Sequence, residues 1–357
     1  MCLLFGRINV STYRGALKHL KKHESFYAEY SEAKDMNKAL VVGIDQYTQC
    51  PLFGCCNDAN KIEALLSRNE DGSPNFFVKK QLNVCTKGEL KALIRDCFSG
   101  DDDTALFYYS GHGHIDSVGG YLVTPDFCQD DWGVSLFDIL QIANESRCKN
   151  KVIILDSCFS GFMGSVSTDG QNTAVIKEGV TILTASRNNE PSTEMDGQGL
   201  FTSLLIEALE GRAADVTGYV TPSGVYSYID KALGPWEQRP VFKTNVTRFV
   251  SLRRVNPRIS LQSLRKLTEF FLAEDDQMPL DPSYEPTNTP EDVHEIIEPY
   301  ATEAHTIDFS ILQEMESVGL VVPVGEKHMY YAAMNSKSCA LTALGKHYWK
   351  LVSRGKI

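Results

Sequence analysis

Apolar residues in this chain fall into short dense runs separated by helical patterns. Ala39-Leu40-Val41-Val42-Gly43-Ile44 is continuously apolar, as in a strand buried on both faces. Asn57-Asp58-Ala59-Asn60 then opens a helical pattern that runs through Leu66. Phe76-Phe77-Val78 reads as a second strand. Thr86-Lys87-Gly88-Glu89 has the form of a helix N-cap with Glu at the third helical position, ahead of Leu90, Leu93, Ile94 and Cys97. The alternation continues with strand 104–109, a short hairpin strand at Tyr121-Leu122-Val123 and a helix from Ser135 through Leu140. Strands at 152–155 and 181–185 follow, then helices at 200–210 and 222–233. Such repetition predicts an α/β fold, a mostly parallel sheet covered by helices on both faces.

The flanks follow other patterns. Residues 1–37 are mixed and charged, with Lys18, Lys21, Lys22 and His23 close together, and read as an N-terminal extension carrying one helix. The α/β pattern occupies 38–255. Residues 256–290 hold a helical stretch at 260–273 and a proline-punctuated linker, Gln277 to Pro286. Residues 291–357 predict helices at 291–304 and 307–318, a hairpin of Val321–Val324 with His328–Ala333, and a helix from Leu344, a small winged-helix-like α+β domain.

Length and charge narrow the function. The chain has 357 residues and 43% hydrophobic content, enough for one large core and a smaller second domain. A net charge of −11 speaks against nucleic acid and anionic membrane as partners and favours cationic peptides. The ten cysteines include no CxxC pair, so a structural zinc site is not expected, and reduced thiols in the cytoplasm fit best. The short apolar start, Met1 to Gly6, lacks the form of a signal peptide, and no run reaches membrane-spanning length.

Two segments carry the chemistry. Tyr109-Ser110-Gly111-His112-Gly113 and Asp156-Ser157-Cys158-Phe159-Ser160-Gly161 each follow a strand-like run. They deliver a histidine and a cysteine to the carboxyl edge of the sheet, where open α/β folds build their sites. A thiolate is a strong nucleophile, and imidazole is its usual base. Cys158 with His112 therefore reads as a Cys–His hydrolase dyad. His114 is the rival imidazole.

With Val41-Val42-Gly43-Ile44-Asp45 and Gly54-Cys55-Cys56-Asn57-Asp58-Ala59, these make four motifs in order. Over 38–255 the chain resembles the caspase-like cysteine peptidases of the caspase/hemoglobinase fold, clan CD, and within them metacaspases and bacterial caspase-like proteins. In animal caspases the histidine precedes the cysteine by about 50 residues. Here it does so by 46, from position 112 to position 158, and Asp-Ser-Cys stands where those enzymes have Gln-Ala-Cys.

The resemblance implies that the backbone N–H groups of Gly113 and Cys158 hold the oxyanion. It further implies that Cys55, Asp58, Ser110 and Asp156 line an S1 pocket selecting Arg or Lys. The plainer reading of Asp58 is a helix N-cap. Several metacaspases bind calcium. Asp116, Asp126, Asp130 and Asp131 do not reproduce the expected acidic, glycine-rich insert, so calcium is not expected and the chemistry requires no cofactor. The segment 161–180, where such enzymes are often cut for activation, offers one basic residue, Lys177.

Control is therefore expected in the C-terminal domain. From Asn256 onward there are 9 Lys and Arg against 15 Asp and Glu, the wrong sign for DNA. The chain, including Gln238-Arg239-Pro240-Val241-Phe242 and 328–331, also resembles caspase-like effectors of bacterial antiviral defence of the TIR-linked, Thoeris-like kind. That implies activation by a cyclic ADP-ribose-type nucleotide, with oligomerisation on activation as a further expectation. His328, Tyr330, Tyr331, Asn335 and Lys337 could form its site; a wing that only packs is the plainer reading. The competing functions are a peptidase with another P1 preference and a non-catalytic scaffold with a protein-binding C-terminal domain.

Overall fold

The computed structural model describes residues 37–157, 166–168, 171–173, 175–185, 194–195, 198–234, 239–291 and 297–357. The helix expected within 1–37 lies outside the described residues, as do Cys158 and Gln238. The described chain forms two compact units, one up to Ile206 with Tyr226–Val250, the other Glu207–Val225 with Ser251–Ile357.

The first unit is built on six strands: β1 (Asn37–Gly43), β2 (Phe76–Leu82), β3 (Thr104–Ser110), β4 (Asn150–Asp156), β5 (Val180–Thr184) and β6 (Val241–Asn245). Their order is β6-β5-β4-β3-β1-β2. All pairs are parallel except β5 with β6. The helices are α1 (Cys55–Ser67), α2 (Lys87–Cys97), α3 (Leu136–Glu145), α4 (Leu200–Glu207) and α5 (Pro222–Leu233). The mostly parallel α/β sheet is as expected; the antiparallel edge strand β6 is an addition.

β1, β3 and β4 are apolar through their centres because both of their faces are covered. On one face, Leu40, Val42, Phe107, Tyr109, Ile153 and Leu155 join Leu90 and Ile94 of α2 and Ile139 and Leu140 of α3 in a single core. Each such side chain contributes about 1.5–3 kcal/mol by leaving water. Edge strand β2 continues past the apolar Phe76-Phe77-Val78 with two lysines. Lys79 pairs with Asp96 of α2 at 3.0 Å and Lys80 with Glu63 of α1 at 2.6 Å, which binds the edge to helices on both faces. The Thr86 cap is present, its hydroxyl accepting the Glu89 N–H at 3.2 Å.

In the second unit, β7 (Gln277–Pro279), β8 (Val321–Val324) and β9 (Ser338–Leu341) make an antiparallel sheet in the order β7-β9-β8. It packs with α6 (Glu303–Ser317), α7 (Met329–Met334) and α8 (Ala343–Ser353) around Phe271, Phe309, Leu312, Met315, Met329 and Cys339.

Four expectations change here. The segment 328–333 is not a strand: from Met329 it forms helix α7, and the strand that pairs with β8 is β9. Met329, Ala332 and Ala333 bury one helical face while Tyr331 stays exposed, a spacing that fits a helix and not a strand. The second hairpin strand of a winged helix is thus displaced along the chain. The stretch 277–286 is not a linker, since it supplies β7, buried Leu280 and a 3₁₀ turn at Pro282–Tyr284. The helix expected at 291–304 is not seen where the chain is described: α6 begins at Glu303, capped by Thr302. The units also exchange two crossings of the chain, at 206/207 and 225/226, before the passage at 250/251, where one boundary after 255 was expected.

Candidate active site

β1, β3 and β4 end level with one another. Gly43 stands opposite Ser110, and Ser110 opposite Asp156. In this register Ser110 and Asp156 project to the same face of the sheet, the one turned away from Tyr109 and Leu155. The first turn of α1 closes over that face. A Cβ at Gly43 would lie 2.3 Å from the Cys55 carbonyl oxygen, so only glycine permits this approach. Cys55 and Asp58 are thereby brought to the strand ends, and Ser110 Oγ lies 3.5 Å from Asp58 Oδ2. The structure brings together all four residues assigned to S1, each 1–7% exposed.

Asp58 is not the cap of α1. The N-cap position is Gly54, and the end amides are held by Asp45, whose Oδ1 accepts the Cys55 N–H at 2.9 Å and Oδ2 the Cys56 N–H at 3.2 Å. A carboxylate there also complements the positive end of the helix. Asp58 sits one turn in, on the buried side. Burial, reinforced by the carboxylates of Asp45, Asp156 and Asp58, pushes the Cys55 thiol well above its usual range despite its hydrogen bond with Ser110. Cys55 is therefore a neutral wall residue and no competitor for the role of nucleophile.

Asp156 has a partner that the sequence did not suggest. Thr202 of α4 donates to its Oδ2 at 2.6 Å, and the Tyr108 hydroxyl lies 2.7 Å from Thr202 Oγ1. Burial raises the Tyr108 phenol far above its usual value, with Asp156 and Asp58 adding to the effect.

His112 is held from three sides. Its backbone N–H donates to the Tyr47 hydroxyl at 3.1 Å. The Tyr109 hydroxyl lies 3.1 Å from its carbonyl oxygen and 2.9 Å from that of Val123. Its Nε2 lies 2.7 Å from the Cys50 carbonyl oxygen. A carbonyl only accepts, so Nε2 carries the proton, and in the neutral ring Nδ1 keeps the lone pair of a base. The Tyr47 ring meets the imidazole edge-on, with centroids 4.6 Å apart. Gly113 follows directly and opens the hairpin strand Gly113–Ile115. His114 lies in that strand, its ring stacked on Trp132 at 3.8 Å.

The remaining candidates lie elsewhere in the chain. Asp116 accepts the N–H groups of Val118 and Gly119; Asp126 accepts from Thr124 and from the Lys87 N–H; Asp131 pairs with Lys87; Asp130 occupies a turn at φ 66°. Among the described residues no group of three or more His, Cys, Asp or Glu converges on a common point. Lys177 is exposed. In the second unit His328 precedes α7, its ring 6.1 Å from that of Tyr331, which meets Tyr330 edge-on at 5.2 Å. Asn335 donates to Glu326 at 2.9 Å, and Lys337 is exposed.

A histidine on the loop after β3 and a buried cluster of acidic side chains thus stand at the carboxyl edge of a mostly parallel α/β sheet. A family model described as the caspase domain matches residues 36–247, and the chain belongs to that family. Among solved structures, protein GSU0716 of Geobacter sulfurreducens is similar at 14% identity and a TM-score of 0.46, covering 62% of this chain and 98% of that one. Caspase-1 from Spodoptera frugiperda is similar at 15% identity and a TM-score of 0.45, covering 62% and 91%. No curated protein matches. No helix among the described residues is long and apolar enough to cross a membrane.

Proposed function

We propose that this chain is a cysteine endopeptidase that cuts after Arg or Lys. One observation carries the reading: Asp58 and Asp156, both buried, converge with Ser110 and Cys55 one residue from the loop that holds His112. Buried carboxylates gathered in this way favour a cation, and a guanidinium satisfies them with paired hydrogen bonds. The protonated Nε2 of His112 leaves Nδ1 to take the proton of the Cys158 thiol. The thiolate attacks the scissile carbonyl carbon, and the N–H groups of Gly113 and Cys158 hold the oxyanion. The leaving amine takes the proton back from the imidazolium. Water, deprotonated by the same ring, then hydrolyses the thioester and frees the thiol.

The second unit is the proposed seat of control. The adjacent rings of His328, Tyr330 and Tyr331 support a small-molecule site for a cyclic ADP-ribose-type messenger, in keeping with a role as a bacterial antiviral effector. Moving a resting state from 1:99 to 99:1 needs about 5.5 kcal/mol of differential affinity.

The test is cleavage of a peptide library by the full chain, with and without such nucleotides. Cleavage should concentrate after Arg and Lys and vanish in Cys158→Ala and His112→Ala, while His114→Ala stays active. Asp156→Asn should lower kcat/KM by about 2–5 kcal/mol, the range for unpairing a buried charge. Cleavage after Asp, or indifference to Asp156→Asn, rules out the pocket assignment. Full activity without nucleotide removes the switch.

A further inference from the structure

The hydroxyl chain behind Asp156 has a fixed direction. Thr202 owns one proton, and its 2.6 Å contact with Asp156 Oδ2 requires that proton, because an ionised carboxylate only accepts. The Thr202 oxygen must then accept at its other contact, so the Tyr108 hydroxyl, 2.7 Å away, is the donor there. The order is Tyr108 to Thr202 to Asp156. Thr202 is fully buried, and so is Tyr108, whose phenol burial holds well above its usual value. No solvent molecule is needed to complete the chain. Its members come from three elements, β3, α4 and β4, so the hydroxyls fix a carboxylate relative to two other parts of the fold.

We infer that Thr202, oriented by Tyr108, is a positioning residue that sets the plane of the Asp156 carboxylate for paired hydrogen bonding to a guanidinium. The inference rests on the cationic-P1 reading above. With Oδ2 anchored by Thr202, rotation of the Asp156 carboxylate costs that hydrogen bond. A planar guanidinium requires two acceptor directions to be in place at once, whereas an ammonium acts as a point charge and tolerates a turned carboxylate. Loss of the Thr202 hydroxyl should therefore reduce guanidinium binding more than ammonium binding. A purely structural role for Thr202 would reduce both alike.

The experiment measures dissociation constants of butylguanidine and pentylamine with the full-length protein by calorimetry, which does not depend on turnover. Thr202→Val keeps the shape and removes the hydroxyl; Thr202→Ser restores it; Tyr108→Phe removes the outer donor and keeps the ring. Thr202→Val should weaken butylguanidine about tenfold, as expected for a lost hydrogen bond to a charged group, and pentylamine less than about threefold. Thr202→Ser should bind both like the parent, and Tyr108→Phe should shift butylguanidine in the same direction by less. In catalysis the loss should appear in KM for Arg substrates and leave kcat nearly unchanged. Equal weakening of both cations, or an unchanged butylguanidine constant in Thr202→Val, overturns the inference while the pocket stands. If Thr202→Val does not fold, Tyr108→Phe decides, and equal constants for it and the parent overturn the proposal. If the parent binds neither cation, the cationic-pocket reading itself fails and takes this inference with it.

Discussion

Gly111 joins the sheet to the histidine loop and has no room for a side chain. A Cβ there would lie 2.6 Å from the Tyr109 hydroxyl and 2.7 Å from that of Tyr47, the two groups that hold the His112 backbone. Both rings are buried and cannot swing away. Gly111→Ala should therefore cost about 1–3 kcal/mol of stability, the range for overpacking a filled site. It should also lower kcat by up to about a hundredfold, as expected when a reacting group moves by around 1 Å. Thermal unfolding and steady-state kinetics of the same variant check this; wild-type kcat would mean that the tyrosine pair does not position His112. At this scale much of the site was legible. His112, Ser110 and Asp156 lie in short motifs at strand ends, and Cys55 and Asp58 in one that opens α1, where their neighbours announce them. Tyr47 and Thr202 were not legible: Thr202 lies 46 residues beyond Asp156 on an ordinary apolar helix, and nothing local marks a threonine that donates to a distant carboxylate.

The helix α1 illustrates how an element serves the site. Gly54 offers no side chain to its first amides, and the carboxylate of Asp45, ten residues before Cys55, holds them from the loop after β1. The same residue's carbonyl oxygen accepts the Leu52 N–H at 2.9 Å, and Asn83 Oδ1 accepts the Asp45 N–H at 2.9 Å. Asp45 thus ties β1, the following loop and α1 into one unit that carries Cys55 and Asp58. Asp45→Ala should lower stability by about 1–2 kcal/mol, as for loss of a helix cap aided by charge. A shift in urea midpoint with an unchanged slope is the expected sign; a midpoint within error of the parent contradicts the capping role. The strands that read as continuous apolar runs were correctly placed, because burial on both faces leaves an unmistakable pattern. β6 was missed because Val241-Phe242-Lys243-Thr244-Asn245 turns polar where an edge strand meets solvent. Helix α7 was misread because Met-Tyr-Tyr-Ala-Ala is apolar and aromatic enough to pass for a strand, and only the spacing of its buried positions separates the two.

The division of the whole molecule could not be read from composition, because the second unit is discontinuous in sequence. Glu207–Val225 lies between β5 and β6 in the chain yet belongs with Ser251–Ile357. Tyr219–Val220 pairs with Arg253–Arg254, the Arg253 guanidinium donates to the Leu209 carbonyl at 2.9 Å, and Val216 packs against the core around Phe309 and Phe271. Val220 and Leu252 are fully buried and Leu209 nearly so. A change in charge and proline content near residue 255 marks a shift in composition, but the fold crosses it. Each buried aliphatic side chain contributes about 1.5–3 kcal/mol, against a total of about 5–15 kcal/mol for a typical domain. Residues 251–357 alone should therefore unfold without a sharp transition. The same residues joined through a Gly/Ser linker to 207–225, in place of 226–250, should recover cooperative melting. Calorimetry of the two fragments measures this directly. A sharp transition at the same temperature for both would show that 251–357 is complete by itself, and that 207–225 adds nothing to the second core.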